Sequence, residues 1–140
     1  MSVRTDLIDE LKRTIEEISI VNTVEKIRPT PQDIEVTTLP VVYIYAGPSI
    51  NITATEMGVI GQETYDWTII LEGFVDENTE VETLLYELHK ALFANQTLDD
   101  KAIYCNIMST DILEAITSDK AFNGIMIEYH VLYKHAQGQP

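Results

Sequence analysis

The chain has 140 residues, of which 45% are hydrophobic, and a formal net charge of −14. This length suits one domain that buries roughly two thirds of its unfolded surface, and no apolar run approaches the roughly 20 residues that a membrane helix needs. The carboxylate excess argues against tight binding to nucleic-acid phosphates, because that affinity comes from Lys and Arg. The single cysteine, Cys105, excludes an internal disulfide and a cysteine-based zinc site.

The negative charge is concentrated in the middle of the chain. Residues 29–89 contain eleven carboxylates and no Lys or Arg. This excess of negative charge has two interpretations of equal weight. It either serves solubility alone, or it forms a surface that meets a basic partner or repels a polyanion.

Hydrophobic periodicity predicts a first helix over residues 2–18. Its N-terminus runs directly into the amphipathic pattern without the apolar core of a signal peptide, so we expect synthesis and residence in the cytoplasm. Residues 19–28 are rich in β-branched side chains and end at Pro29-Thr30-Pro31, which predicts a short strand followed by an extended linker. The apolar stripe of the helix consists of Val3, Leu7, Leu11, Ile15 and Ile18.

Three strand patterns follow the linker. Residues 39–46 are apolar on both alternating sets, which predicts a central strand covered on both sides and closed by a turn at Gly47-Pro48. Residues 50–55 alternate as a half-exposed strand, and 57–62 contain two glycines and predict a loop. The longest strand of the region is predicted over 64–75, with one face made of Trp67, Ile69, Leu71 and Val75.

A second helix is predicted up to Ala94, lying on the sheet and ended by Asn95-Gln96. Thr79 and Glu82 have the spacing of a capping box, in which each side chain satisfies a free amide at the helix start. A stripe at helical spacing consists of Val81, Leu84, Leu85, Leu88 and Leu92.

The C-terminal third is predicted to be β structure. Residues 101–108 alternate, 110–118 favour a strand over a helical turn, and Asp119-Lys120 predicts a turn into a last strand over 125–134. Residues 135–140 are expected to form a flexible polar tail. The buried face of the last strand is predicted to be Ile125, Ile127, Tyr129, Val131 and Tyr133. The whole chain, 1–140, is therefore predicted to be a single α+β domain with a mixed, mostly antiparallel sheet and two helices packed on it.

Residues capable of catalysis do not form a recognisable signature. Glu128 and His130 share a strand face and could pair as acid and base, but the polar outer face of a half-buried strand gives the same pattern. His89 and His135 have no converging partners. Cys105 alternates with apolar neighbours, which favours a buried small hydrophobe over a nucleophile. We therefore predict no catalytic residue, no cofactor and no metal, and no phosphate-binding loop is present.

Sheet edges offer a different kind of function. A small α+β domain with an uncovered edge either protects that edge or uses it. Pairing of edges around a ring is a heterologous contact that closes without loose ends. Seven tyrosines and several hydroxyls on strands suit a wet protein interface. The chain is therefore interpreted as a building block of an assembly and not as an enzyme.

Three segments carry a resemblance to a known family. Pro40-Val41-Val42-Tyr43 follows the first helix, a strand led by Trp67 precedes the second helix, and a strand ended by Tyr133 closes the chain. Over nearly its whole length the sequence resembles the tail terminator (tail completion) proteins of long-tailed bacteriophages. The resemblance implies an α+β domain that forms a hexameric ring on the head-proximal end of the tail tube. Such a ring stops tube polymerisation and faces the head-side connector or neck protein.

The resemblance also implies where the protein resides and what it contacts. It would be assembled in the host cytoplasm and reside in the virion tail or neck, with copies of itself and the tube protein as partners and with neither a membrane nor a small-molecule substrate. Acids facing the ring lumen would let phage DNA pass without specific binding, since each carboxylate repels phosphate. Glu56, Glu63 and Asp66, in or beside the predicted loop 57–62, are the candidates for the lumen or an interface.

Two other classes of function remain open. The same charge and small size suit an acidic adaptor or inhibitor, monomeric or dimeric, that mimics nucleic acid. A small hydrolase or isomerase using Glu128 and His130 would need a concave pocket where these two side chains meet a further polar group.

Overall fold

The chain folds into the α+β domain that its sequence predicts. The structure is a computed structural model and describes residues 3–29, 39–55, 62–75, 80–116 and 121–136. In chain order the elements are α1 (Val3–Glu16), β1 (Thr23–Glu25), β2 (Val41–Thr55), β3 (Gln62–Val75), α2 (Val81–Ala94), β4 (Tyr104–Ile116) and β5 (Ala121–Ala136).

The five strands form one sheet in the order β1-β2-β3-β5-β4. β1 runs parallel to β2, and every other neighbouring pair is antiparallel. This confirms the predicted mixed, mostly antiparallel sheet. The two edge strands of this sheet differ greatly in length, because β1 has 3 residues and β4 has 13.

The turn predicted at Gly47-Pro48 is wrong. β2 continues through this dipeptide, and its pairing with β3 shifts register between Ala46 and Ile50. The physical reason is that β3 offers an uninterrupted partner on both sides of the irregularity, so the ladder resumes after a bulge, where proline is tolerated. The two predicted strands are therefore one long strand. The predicted loop lies largely outside the described residues, and Gln62 already belongs to β3.

Both helices lie on one face of the sheet and share one core with it. Leu7, Leu11 and Ile15 of α1 are fully buried, as are Leu84 and Leu88 of α2. Burial of each such side chain stabilises the fold by about 1.5–3 kcal/mol. The sheet contributes the residues that alternation predicted, namely Trp67, Ile69, Leu71 and Val75 of β3 and Ile125, Ile127, Tyr129, Val131 and Tyr133 of β5.

The ends of α2 follow the prediction at the C-terminus and differ at the N-terminus. Glu80 is the N-cap residue and makes no side-chain capping bond, while the predicted cap Thr79 lies outside the described residues. At the other end Asn95 is the C-cap, and its backbone N–H donates to the carbonyl of Leu92. The Asn95 side chain also donates to Thr14 Oγ1 at 2.8 Å, which ties the end of α2 to α1.

The C-terminal hairpin confirms the strand interpretation of the ambiguous segment. β4 continues to Ile116, and its last pair joins Ile116 to Ala121 of β5. β5 extends to Ala136, two residues into the segment predicted to be a tail, because its end pairs with the start of β3. The turn predicted at Asp119-Lys120 and residues 137–140 lie outside the described part of the chain.

Candidate interaction surfaces

The three acids predicted for a lumen or interface do not all fall in a loop. Glu56 lies outside the described residues. Glu63 belongs to β3, where it is in register with Thr55 and His135. Asp66 also lies within β3, is about one third exposed, and places Oδ1 3.2 Å from Nδ1 of His130. Asp66 is therefore a strand residue in contact with His130, on the sheet face opposite the helices.

A line of polar side chains crosses three strands on that face. His130 of β5 meets Asp66 through Nδ1 and lies 3.4 Å from Glu128 Oε1 through Nε2. Ser109 of β4 donates its hydroxyl to Glu128 Oε2 at 3.2 Å. The line thus ties β3, β5 and β4 together, and it brings Glu128 and His130 together as their shared strand face predicts.

The same line does not have the geometry of a catalytic site. Thr68 Oγ1 lies 3.3 Å from His130 Nε2, so a hydroxyl, an imidazole and the Asp66 carboxylate stand in sequence. However, Thr68 is only 6% exposed, and Glu128 competes for the same imidazole nitrogen. The Thr68 hydroxyl is buried, whereas catalysis needs a concave site in which a substrate reaches the nucleophile. The arrangement is that of a cross-strand polar network.

Cys105 occupies the environment that its alternation predicts. Its side chain is 1% exposed, and burial raises the pKa of the thiol to about 11. The hydroxyl of neighbouring Tyr129 is also buried and lies within hydrogen-bonding reach of the Cys105 thiol. Burial raises the pKa of Tyr129 as well. Both groups are therefore neutral at physiological pH, and the thiol is not an activated nucleophile.

An apolar groove runs between α2 and the edge strand β4. α1 lies against β1 and β2 and α2 against β3 and β5, so neither helix is centred over β4. Tyr86 and Phe93 of α2 are 63% and 76% exposed and border the groove with Tyr104 of β4. The groove has a volume of about 510 Å³, and its inner wall includes Cys105, Ile107 and Tyr129.

The helix face that borders this groove can be recognised in the sequence of α2, beside the leucine stripe. Tyr86, His89, Lys90 and Phe93 recur at spacings of three, one and three, which places them on one helix face beside the buried stripe. His89 Nε2 lies 3.3 Å from Thr110 Oγ1, so this second face of α2 contacts β4 directly. The leucine face of α2 therefore packs on the sheet, and the neighbouring face presents aromatic side chains next to β4.

The opposite edge of the sheet has a different character. After β1 the chain exposes Lys26, Ile27 and Arg28 in succession. Lys26 Nζ lies 2.7 Å from Asp9 of α1, and the guanidinium carbon of Arg28 lies 5.8 Å from the centre of the Tyr45 ring. Ile27 is therefore an exposed apolar side chain between two cations that are held in place.

Within the described ranges, no helix has the length and apolarity that crossing a membrane requires. Among the side chains that the structure describes, no three His, Cys, Asp or Glu are grouped as ligands of a metal ion.

Comparison with known proteins gives one kind of match. No family model and no curated protein matches the chain. Among solved structures, a chain described as "Virion of native gene transfer agent (GTA) particle" matches with a TM-score of 0.43 and 11% sequence identity, covering 96% of this chain and 92% of that chain. At this identity and TM-score the likeness carries no conclusion about function.

Proposed function

We propose that this protein is a structural virion protein that caps the head-proximal end of a phage tail tube as a ring. In this role it ends tube polymerisation and forms part of the head-tail interface. The proposal begins from the sequence resemblance to tail terminator proteins. The gene transfer agent chain agrees with a virion role but, at its TM-score of 0.43, adds no weight.

The observation that carries the proposal is the long edge strand β4, which has no further strand beside it among the described residues. Soluble proteins protect such edges with short strands, lysines, prolines or bulges. β4 has 13 residues and contains no Lys, Arg or Pro. Its protection is limited to the acids Asp111 and Glu114 and one irregularity of pairing between Ile107 and Ser109. Tyr104, Met108 and Ile112 of this strand are all exposed apolar side chains. An edge of this length and composition is suited to contact with another protein.

The inequality of the two edges favours a ring over a two-fold dimer. A two-fold contact uses the same surface on both copies, whereas a head-to-tail contact uses two different surfaces and closes into a ring. Here one edge is short with cations beside it, and the other is long, exposes several apolar side chains and is bordered by aromatic residues. Two such surfaces on one molecule are what a head-to-tail contact requires.

The charge of the chain suits passage of DNA through such a ring. With a net charge of −14, the chain as a whole repels phosphate, which would let DNA pass without specific binding. Glu56, Glu63 and Asp66 remain the proposed lumen or interface acids. The proposed partners are further copies of the chain, the tail tube protein and a head-side connector.

The test is capping of tubes formed by the tail tube protein of the same phage. Adding the purified chain to polymerising tubes should stop their growth and place a ring at one end, visible by electron microscopy. Tubes of unchanged length with bare ends would contradict the proposal. A chain that stays monomeric and leaves tubes bare would favour the acidic adaptor or inhibitor instead.

The lumen acids are tested by charge reversal. We expect the triple variant Glu56→Lys, Glu63→Lys, Asp66→Lys to cap tubes less well or to slow DNA ejection, because lysines in the lumen would hold phosphates. The matched control reverses three exposed acids elsewhere, Glu16, Glu17 and Asp99, and changes the net charge equally. Particles of the first variant that eject DNA like the control would remove these residues from the lumen.

A further inference from the structure

We infer that Glu25 on the edge strand β1 of one copy forms an ion pair with Lys90, beside the edge strand β4, of the next copy. This inference rests on the proposed ring and assigns one charged contact within it. Lys90 belongs to α2 and lines the groove between α2 and β4. The two residues therefore stand at opposite edges of the sheet, whose strand order is β1-β2-β3-β5-β4.

Lys90 is an exposed cation without a counterion in the described part of its own chain. Its side chain forms no ion pair there and lies over no aromatic ring. Other cations are paired with carboxylates or lie over rings, namely Arg4, Lys12, Arg13, Lys26, Arg28 and Lys101. An uncompensated lysine is unexpected in a chain that has 23 Asp and Glu against 9 Lys and Arg. Its counterion is therefore to be sought on another molecule.

The groove around Lys90 is complementary to a negative charge. Among the described residues its lining includes His89 and several aromatic side chains, and it contains no carboxylate. Tyr86 and Phe93 of this lining are largely exposed in the isolated chain. A partner that covers them would exclude water, and an ion pair formed beside them would be stronger than one in bulk water. The group that suits this position is a carboxylate.

Glu25 presents a carboxylate at the other edge of the sheet. It is the last residue of β1, the one acid in that strand, and its side chain is exposed. It forms no ion pair within the described residues. The nearby cations Lys26 and Arg28 contact Asp9 and the ring of Tyr45 instead.

Charge favours a head-to-tail contact between these two edges. Such a contact brings edge β1 of one copy to edge β4 of the next, and with them an uncompensated carboxylate to an uncompensated lysine. A two-fold contact between two grooves would instead place Lys90 of one copy near Lys90 of the other, and like charges repel. The favoured counterion of Lys90 is therefore Glu25 of a second copy.

Charge reversal on each side tests this pair. Lys90→Glu alone and Glu25→Lys alone should each raise the protein concentration needed for ring assembly by about tenfold or more, because each places like charges in every contact. An equimolar mixture of the two variants should restore a mass near six times 15.9 kDa. In an alternating ring every contact again joins one acid to one lysine. Light scattering measures the mass, and circular dichroism checks that each variant is folded.

Lys12→Glu is the matched control, because it makes the same change in net charge on the exposed part of α1. It should assemble like the wild type. If the wild-type chain forms a ring and either Lys90→Glu or Glu25→Lys forms it equally well, the pair is overturned while the ring survives. Folded variants that remain monomers when mixed also overturn the pair. A wild-type chain that never assembles, even on tail tubes, overturns both the pair and the proposed function.

Discussion

Glu10 is a carboxylate buried in the seam between α1 and α2. Arg13 Nε donates to its two oxygens at 3.0 and 3.1 Å, and Asn95 Nδ2 donates to Oε1 at 3.3 Å. The hydrogen bond from Arg13 is the main reason that the pKa of Glu10 lies below its ordinary value of 4.5. A lowered pKa in the folded state means that the stabilisation is present above the unfolded pKa and is lost as the pH falls through the folded one.

We predict that Glu10→Gln lowers the free energy of unfolding at pH 7 by about 1–2 kcal/mol, because hydrogen bonds to a charged group are lost. The difference from the wild type should shrink as the pH falls below 4.5. Urea unfolding at pH 7 and at acidic pH measures it. The control Glu17→Gln removes an exposed partner of the same arginine and should cost less than about 1 kcal/mol. An equal loss for Glu10→Gln at both pH values would contradict the role of its charge.

Gly124 and Gly73 offer a matched pair of glycines in adjacent strands. A Cβ at Gly124 would lie 2.4 Å from the carbonyl oxygen of Gly73 and 2.6 Å from Cδ1 of Phe74. A Cβ at Gly73 would lie 2.9 Å from Cδ2 of Leu84, the far end of a flexible side chain. We expect Gly124→Ala to destabilise by about 2–3 kcal/mol through overpacking and Gly73→Ala by clearly less. Thermal or urea unfolding of both variants measures the loss of stability. A larger loss of stability for Gly73→Ala than for Gly124→Ala would contradict this prediction.

At the scale of single residues, the sequence predicts which side chains are buried, but not which side chains contact each other across neighbouring strands. Alternation identified Tyr129 and Cys105 as core residues, because side chains on one face of a strand share one environment. It did not identify the contact between Asp66 and His130, because that contact depends on the register of β3 with β5, and a shift by one residue would separate the two side chains.

Among the elements, α2 has a buried leucine face and an exposed aromatic face. Leu88, on its buried face, has no exposed surface, and Leu88→Ala should lower the free energy of unfolding by about 2–5 kcal/mol. Phe93 lies on the exposed face, so Phe93→Ala should leave the free energy of unfolding of the monomer nearly unchanged and reduce assembly. Chemical unfolding and light scattering of the two variants measure these effects. A large loss of monomer stability in Phe93→Ala would show that its role is to support the fold.

The elements themselves were predictable to different degrees. Helix α2 and strand β5 follow from strong periodicity over many residues, which local sequence expresses directly. The continuity of β2 through Gly47-Pro48 does not, because the dipeptide has the chemistry of a turn and only its pairing with β3 keeps it in the strand. The position of β4 at an edge of the sheet could not be predicted either, because the sequence does not give the order of strands in a sheet.

The whole molecule combines a helix-covered sheet face with two unlike free edges and a strong negative charge. These three properties support the head-to-tail ring that the sequence resemblance implies. The charge also predicts how assembly should depend on salt. Subunits with a net charge of −14 repel one another, and raising the ionic strength screens that repulsion over about 10 Å or less. Assembly should therefore be favoured at higher salt and at higher protein concentration.

The most direct measurement is the solution mass of the purified chain by light scattering, at two protein concentrations and two salt concentrations. The account predicts a mass near six times 15.9 kDa, or a shift towards it at higher salt or on addition of tail tubes. A chain that remains a strict monomer under every condition, with tubes present, would contradict it.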